Sequence, residues 1–205
     1  IKQAVQEKNA ALYCYGTDFF AKFTGRMGHG QQVEIEEKKR GVIGTFTVNL
    51  LGYYQVDNSA IAVMTALVLA EKEKRITLLS LQTGLLSVRW PGRFEVIQGQ
   101  PVIIIDGAHN QDGTRALRKN LNEFYGQKEI IFLLGILQDK DVKTMIRELI
   151  NPADKVVVVA PISDRAGDPE KIAELIQAAH VETADSIREG LEKVRCLAGE
   201  NSVIC

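Results

Sequence analysis

The sequence is poor in cysteine, and no two of its cysteines are close together. The 205 residues include only Cys14, Cys196 and Cys205. Because this number is odd and the spacing is wide, neither a disulfide framework nor a cysteine zinc cluster is expected, and the composition fits a reducing cytoplasm.

An excess of charge of either sign is also missing. The 25 lysines and arginines almost balance the 26 aspartates and glutamates, and the formal net charge is -1. No general attraction to nucleic acid or to an anionic membrane is therefore expected. The longest strongly apolar run, residues 59–70, is too short to cross a bilayer and is predicted to be a buried helix.

Several catalytic signatures are absent from the 205 residues. There is no Gly-x-x-x-x-Gly-Lys-Ser/Thr phosphate loop, no Gly-x-Gly-x-x-Gly after a strand, and no Gly-x-Ser-x-Gly nucleophile elbow. His29, His109 and His180 have no metal-ligand spacing with cysteine or carboxylate residues, so no metal site is predicted. His180 is expected near the end of a helix.

The spacing of apolar residues predicts strands that alternate with helices. Strands are predicted over 10–15, 42–51, 94–97, 102–105, 130–134 and 155–160, with a last strand starting at 202. Helices are predicted over 56–70, 76–88, 111–125, 141–150, 169–179 and 184–197. The glycine-containing region between the first two strands fits either a loop or a hairpin, and residues 98–100 are predicted to be a turn.

This alternation predicts an α/β fold of Rossmann-like type, a mostly parallel sheet with helices on both faces. The run Trp90-Pro91-Gly92 interrupts the pattern and predicts a hinge between two domains, 1–89 and 90–205. The chain begins with Ile1 rather than methionine and ends in a strand-like stretch. We therefore expect it to be a piece of a longer protein.

Ligands of such sheets bind beyond the carboxyl ends of the strands. The strand over 102–105 is followed by Asp106, a glycine, an alanine, His109 and Asn110. A carboxylate at that position could accept hydrogen bonds from a ribose diol, and His109 and Asn110 precede a helix whose N-terminus favours anions. The alternative, equally open, is that Asn110 only caps the helix and His109 is only a loop residue.

Three further residues are candidates for binding. Lys140 follows the next strand and could hold a carboxylate or phosphate; the alternative is a surface lysine paired with its acidic neighbours. Arg93, beside the hinge, could contact a phosphate chain or form an interdomain salt bridge. Asn58 could contact an adenine edge or cap the apolar helix. The run over 160–166, which contains Ser163, Asp164 and Arg165, gives a weaker signal at the same edge.

Two short runs of the sequence, taken together, are characteristic of one protein family. Trp-Pro-Gly-Arg-Phe-Glu at 90–95, followed by Ile-Asp-Gly-Ala-His-Asn at 105–110, closely resembles the folylpolyglutamate synthase and dihydrofolate synthase family, a branch of the Mur ligases. The upstream Gly52-x-x-Gln55-x-x-Asn58 and the run at 138–141 are similar to further elements of that family. The resemblance covers residue 45 onwards, and it implies that residues 1–89 are the C-terminal part of a central ATPase domain.

The resemblance implies an ADP-forming ligase that uses ATP and Mg²⁺. ATP would phosphorylate a carboxylate of a folate, and the amino group of L-glutamate would then displace the phosphate. By the same analogy Asn58 would contact adenine, Arg93 the phosphates and Asp106 the ribose, with Arg93 and Asp106 on either side of the hinge. His109 would organise the acyl-transfer site, and Lys140 would hold the glutamate carboxylate.

The sequence departs from the family pattern in two ways. Tyr54 and Ser59 stand where histidine and alanine are usual, and the phosphate loop, the magnesium ligands and the usual Gly-Ser-Leu-Tyr element after the last strand are missing. The resemblance therefore implies a fragment, inactive by itself, of a monomeric cytoplasmic enzyme. The alternatives are a non-catalytic α/β binding module and another Mur-type ligase that acts on a cell-wall precursor.

Overall fold

The structure, a computed structural model, describes residues 2–28, 30–97 and 99–205. The chain divides into two compact units, the first ending at Trp90 and the second spanning Pro91–Cys205. His29 and residue 98 of the predicted turn lie outside the described residues.

The first unit is built on a three-stranded antiparallel sheet. Its strands are β1 (Phe19–Met27), β2 (Gly30–Glu37) and β3 (Gly41–Val48), and its helices are α1 (Lys2–Glu7), α2 (Tyr53–Ala70) and α3 (Leu78–Ser87). The strands pair in the order β1-β2-β3, with α2 against β1 and β2 and α3 against β3. The core therefore lies between the sheet and these two helices.

Alternation of polar and apolar residues explains the hairpin of β1 and β2. Val33 and Ile35 are fully buried, whereas the intervening Glu34 is half-buried and Glu36 is exposed, as expected for a sheet with one covered face. The region that fitted either a loop or a hairpin is a hairpin. The prediction of a strand over 10–15 is wrong. Apolar residues form a strand only beside a partner strand, and this segment has no such partner among the described residues. Among the described residues that segment makes only a one-residue bridge, from Tyr15 to Phe19.

The second unit holds a six-stranded sheet. Its strands are β4 (Glu95–Ile97), β5 (Val102–Ile105), β6 (Glu129–Leu134), β7 (Lys155–Val159), β8 (His180–Ala184) and β9 (Ser202–Ile204), in the order β4-β5-β9-β6-β7-β8. Its helices are α4 (Gln111–Tyr125), α5 (Val142–Leu149), α6 (Pro169–Ala173) and α7 (Ile187–Leu197). All neighbouring strands are parallel except β4, which pairs antiparallel with β5.

Helices cover both faces of this sheet, which confirms the predicted fold class. Ile131 of β6 belongs to an apolar cluster with Val194 of α7. The next residue, Phe132, points to the other face, where the guanidinium of Arg118 on α4 lies 5.2 Å from its ring centre. Successive strand residues point to opposite faces, so β6 contributes to two apolar layers.

Helix α7 packs unusually close to the sheet at Gly190. A Cβ at this position would lie 2.5 Å from Cδ1 of Leu133 and 2.8 Å from Cγ1 of Val159. Both distances are shorter than carbon atoms tolerate, so the close approach depends on the missing side chain.

A buried ion pair ties α4 to the loop before β7. The Arg118 guanidinium pairs with the carboxylate of Asp154, and both residues are buried. Asp154 also accepts a hydrogen bond from the backbone N–H of Asn151 at 2.7 Å. Burial raises the pKa of Asp154, and the Arg118 charge and the Asn151 hydrogen bond oppose this increase.

Two sequence predictions fail near the last helix. The helix predicted over 169–179 ends at Ala173, and the helix predicted over 184–197 begins only at Ile187. Between them lies β8, whose first residue is His180, so His180 does not end a helix. Strand β8 pairs only with β7 at the sheet edge, and its polar residues lack the continuous apolar pattern of a buried strand.

Candidate functional site

The candidate site lies in the loops that follow the parallel strands of the second unit. Residues 106–110 follow β5, residues 135–141 follow β6, and residues 160–168 follow β7. The carboxyl ends of parallel strands meet at one edge of a sheet, so these three loops share that edge.

Asp106 makes two hydrogen bonds with the backbone at this edge. Its Oδ2 accepts a hydrogen bond from the backbone N–H of Phe94, and its Oδ1 accepts one from the N–H of Ala108, each at 2.8 Å. Burial raises the pKa of Asp106, while the two hydrogen bonds and the charge of Arg93 act in the opposite direction. The carboxylate therefore connects its own loop to the segment before β4.

The turn that carries Arg93 is held at both ends. The N–H of Gly107 donates to the carbonyl of Gly92 at 2.8 Å, and the N–H of Gly92 donates to Oε2 of Glu95 at 2.9 Å. Phe94 has a φ of 49°, in the left-handed region, and is buried. Its ring centre lies 5.8 Å from that of Phe124 on α4. This burial and the Asp106 hydrogen bond hold a backbone conformation that is rare for a residue with a side chain.

This arrangement corrects one expectation about Arg93. Arg93 and Asp106 both belong to the second unit, so they do not lie on either side of a joint. The Arg93 side chain is exposed, and its charge acts on Asp106. Its role is thus that of an exposed cation beside a half-buried carboxylate within one unit.

His109 and Asn110 have distinct positions after β5. Nδ1 of His109 lies 2.9 Å from the carbonyl oxygen of Gly107. A carbonyl can only accept, so Nδ1 carries the proton and Nε2 is the ring nitrogen that can take one up in the neutral form. Asn110 is the N-cap of α4, where its Oδ1 accepts from the N–H of Gly113 at 2.8 Å. The capping interpretation of Asn110 is therefore confirmed.

The loops after β6 and β7 are joined and bring two cations to one carboxylate. The N–H of Gln138 donates to the carbonyl of Arg165 at 2.9 Å. Oδ2 of Asp139 lies 3.5 Å from Nζ of Lys140 and 3.1 Å from Nη1 of Arg165. Lys140 is therefore paired with an acidic neighbour, as the alternative interpretation proposed. Arg165 belongs to the run that gives only a weak sequence signal, and its contact with Asp139 joins residues 26 positions apart, so no local pattern predicts it.

A small cavity of about 100 Å³ lies behind this edge. Asp106 and Cys205 contribute to its lining, and most of the other lining residues are apolar side chains of α4, α5 and β6. Burial raises the pKa of Cys205 to about 12. The thiol therefore stays protonated at neutral pH and is not a nucleophile.

Residues 92–205, which contain all these loops, match the glutamate ligase domain of the Mur ligases. The chain belongs to the Mur ligase family.

Relatives of this Mur ligase chain confirm the branch that the sequence resembles. Over 161 residues it is 36% identical to the folylpolyglutamate synthase of Lacticaseibacillus casei, covering 78% of this chain and 36% of that protein. A structure of Mycobacterium tuberculosis folylpolyglutamate synthase complexed with ADP and AMPPCP has a TM-score of 0.85 at 24% identity, covering 99% of this chain and 48% of the other.

A second solved structure has a similar fold. It is the bifunctional folylpolyglutamate synthase/dihydrofolate synthase of Yersinia pestis complexed with AMPPNP and a Mn ion, with a TM-score of 0.80 at 23% identity, covering 100% of this chain and 46% of the other. The Mur ligase chain thus spans about a third to a half of the length of these three relatives.

Asn58 of this Mur ligase chain lies in the first unit. Helix α2 begins at Tyr53 after its N-cap Gly52, so Asn58 lies inside the helix and the interpretation that it caps α2 is wrong. The Asn58 side chain is exposed, and its Nδ2 donates to Oε1 of Gln55, one turn earlier, at 3.1 Å. This contact orients an amide that remains accessible to a ligand.

The described residues were expected to hold no metal ion and no membrane-spanning helix. Within residues 2–28, 30–97 and 99–205, no group of three or more His, Cys, Asp or Glu side chains is placed to hold a metal ion. None of the helices in the same ranges has both the length and the apolarity needed to cross a membrane.

Proposed function

We propose that this chain is the glutamate-ligating part of a longer ATP-dependent ligase that adds L-glutamate to a folate, either tetrahydrofolate or dihydropteroate. The observation that carries the proposal is the match of residues 92–205 to the glutamate ligase domain, since four of the candidates fall within it. These candidates are Arg93, Asp106, His109 and Lys140.

The chemistry requires activation of a carboxylate, which is a poor electrophile. A carboxylate oxygen of the folate would attack the γ-phosphorus of ATP, with ADP as the leaving group, to form an acyl phosphate. The amine nitrogen of glutamate would then attack the carbonyl carbon, the bond to phosphate would break, and the amine would lose a proton. His109 is suited to receive that proton on Nε2, because Nδ1 is engaged with the Gly107 carbonyl.

The nucleotide would be held by three side chains. The exposed Arg93 guanidinium would bind phosphate oxygens, since its planar fork matches two of them at once. Asp106 would accept from the ribose hydroxyls, because each of its oxygens makes one backbone hydrogen bond and a carboxylate has about four acceptor sites. The exposed amide of Asn58 would contact the adenine edge.

Glutamate would bind at the joined loops after β6 and β7. Lys140 and Arg165 share the carboxylate of Asp139, so each cation keeps N–H donors that a second carboxylate can use. Lys140 would form a charge-assisted hydrogen bond with a carboxylate of the glutamate.

We also propose that the longer protein acts on small-molecule substrates in the cytoplasm, as a monomer. The described structure supports the location, because all three cysteines are free thiols.

A chimeric ligase tests this function. The part of the L. casei synthase that this chain does not match would be joined to this chain, and ADP formation would be measured with ATP, L-glutamate and either folate substrate. We expect Lys140→Ala to raise KM for glutamate about tenfold, the loss of one charge-assisted hydrogen bond. Lys143→Ala, which removes an exposed lysine of α5, is the control and should leave KM unchanged.

The alternatives predict different results. A chimera that forms no product from folates but adds an amino acid to a UDP-sugar peptide would identify a cell-wall ligase. Absence of turnover with every substrate, together with measurable ATP or glutamate binding by the 205-residue chain in calorimetry, would indicate a binding module. Unchanged kinetics in Lys140→Ala, Arg93→Ala and His109→Ala would reject the assigned roles.

A further inference from the structure

Phe94 attaches the turn that carries Arg93 to helix α4. Only 2% of Phe94 is exposed, although the arginine before it is exposed and the strand that follows it lies at the sheet edge. The Phe94 ring centre lies 5.8 Å from that of Phe124 and 6.5 Å from that of Tyr125, both on α4. A buried aromatic side chain contributes a large apolar contact area, so α4 holds residue 94 in place.

The backbone on both sides of Arg93 is bonded to the loop that carries Asp106. The carbonyl of Gly92 accepts a hydrogen bond from the N–H of Gly107 at 2.8 Å. The N–H of Phe94 donates to Oδ2 of Asp106, also at 2.8 Å. Because Arg93 lies between these two bonds, its backbone has a fixed position relative to the Asp106 carboxylate.

The conformation of Phe94 argues against a role in turn formation alone. Its φ of 49° lies in the left-handed region that favours glycine, and Gly92, two residues earlier, has a φ of 70°. Glycine at position 94 would form the same turn without the conformational cost that a side chain adds. Strained residues of this kind are held by their surroundings and are concentrated at functional sites. The ring therefore provides something that the turn itself does not need.

We propose that Phe94 is a positioning residue of the nucleotide site. Its buried ring fixes the backbone that presents the Arg93 guanidinium, so that Arg93 and Asp106 contact the phosphates and the ribose of one nucleoside triphosphate. A guanidinium that is already in place loses less conformational entropy when it binds phosphate. This inference rests on the proposed function, which assigns those two contacts to Arg93 and Asp106. Phe94 acts through Arg93 and needs no contact with the nucleotide.

The chimeric ligase described above tests the proposal. Phe94→Gly removes the ring and relieves the backbone strain, so the turn can still form while Arg93 loses its fixed position. We expect KM for ATP to rise about fivefold to tenfold, and no further than in Arg93→Ala, because part of one charge-assisted contact is lost. KM for glutamate should change less than about twofold. Phe94→Leu keeps an apolar side chain against α4 and should keep KM for ATP within about twofold of the wild-type value.

A double-mutant cycle separates positioning from loss of stability. If Phe94 acts through Arg93, Phe94→Gly in the Arg93→Ala background should raise KM for ATP by less than about twofold. Val194→Ala is the matched control, because Val194 is fully buried in the apolar cluster between α7 and the sheet. It should lower the urea midpoint of the 205-residue chain yet leave KM for ATP unchanged.

A measurement on the 205-residue chain keeps this inference separate from the proposed function. Nitrogen relaxation in NMR gives the order parameter of the Arg93 backbone amide, which we expect at about 0.85 in the wild type and below about 0.6 in Phe94→Gly. Phe124→Leu weakens the contact from the α4 side and should give an intermediate value. If circular dichroism shows that Phe94→Gly does not fold, Phe124→Leu provides the same comparison of order parameter and KM.

The proposal is wrong if the Arg93 order parameter is unchanged in both variants, if an active chimera keeps its KM for ATP in Phe94→Gly, or if the effects of Phe94→Gly and Arg93→Ala multiply fully. An active chimera with any of these results would keep the proposed function and reject the positioning role. A chimera without turnover on any substrate would instead reject the function. Calorimetry of ADP binding to that chimera would then decide the positioning role, which requires weaker binding in Phe94→Gly than in the wild type. Equal binding, or no binding by the wild type, would reject it.

Discussion

Removal of the Asp106 carboxylate should destabilise the second unit even in the absence of substrate. Asp106→Ala deletes the acceptors of two backbone N–H groups, those of Phe94 and Ala108, each bonded at 2.8 Å. The Phe94 backbone, at a φ of 49°, loses the contact that compensates for its left-handed conformation. The segment that carries Arg93 would then be held by fewer contacts.

The size of the destabilisation by Asp106→Ala follows from the two hydrogen bonds that it removes. Two bonds to a charged acceptor contribute about 1.5 kcal/mol each at the lower end of the usual range, or about 3 kcal/mol together. Alanine also removes a carboxylate whose burial is unfavourable, as its raised pKa indicates, so we expect a net loss of about 2 kcal/mol. Asp106→Asn keeps one acceptor oxygen and should lose about half as much.

Urea unfolding of the 205-residue chain, followed by circular dichroism, measures this loss. With a denaturant dependence of about 2 kcal/mol per molar urea, the midpoint should fall by about 1 M. Asp112→Ala is the control, because its side chain is 93% exposed and should contribute less than about 0.5 kcal/mol. Arg93→Ala should also leave the midpoint nearly unchanged, since Arg93 is exposed. Equal midpoints for Asp106→Ala and Asp112→Ala would refute the reasoning.

Three further predictions concern the same unit. Asp154→Ala leaves the buried Arg118 guanidinium without its partner and should lower the free energy of unfolding by about 3 kcal/mol or more in urea titrations; a loss below about 1 kcal/mol would contradict the buried pair. Gly190→Ala forces a methyl group against Leu133 of β6 and Val159 of β7 and should lower the free energy of unfolding by about 1–3 kcal/mol in the same titrations; an unchanged midpoint would contradict the close packing. Lys155 lowers the pKa of Glu129 in the folded protein. The stabilisation that this ion pair contributes is therefore present above the unfolded pKa of Glu129, about 4.3, and is lost as the pH falls through its folded pKa. Glu129→Gln should therefore flatten the decline of stability below about pH 4.5, and an unchanged slope would count against the pair.

Local sequence patterns were sufficient to predict most strands and helices of the second unit. The continuous apolar run of β7 predicts a buried parallel strand, and the helical spacing over 111–125 matches α4 at both ends. These signals are strong because a buried strand and an amphipathic helix differ in the period of their apolar residues. They are weaker where an element is short and lies at an edge, as β8 does, and where a strand such as β2 alternates charged with apolar residues.

The candidate site, like the fold, could be predicted from the sequence only in part. The runs at 90–95 and 105–110 identify the family, because residue types at fixed spacing are a property of the chain itself. Which groups those residues contact depends on distant parts of the chain. Asp106 binds the backbone of Phe94, twelve positions away, and Arg165 reaches Asp139 across two loops. Such partners are chosen by the packing of strands and helices, so no local pattern contains them.

Helix α2 illustrates this difference. Composition correctly predicts that residues 56–70 form an apolar helix, because helical spacing and hydrophobicity are encoded within those residues. Whether each face of that helix is covered depends on which other elements pack against it. The fold of the first unit covers one face and leaves Ile61 and Leu69 of the other face exposed, contrary to the predicted buried helix over 59–70. Burial is a property of the assembled molecule and not of the segment.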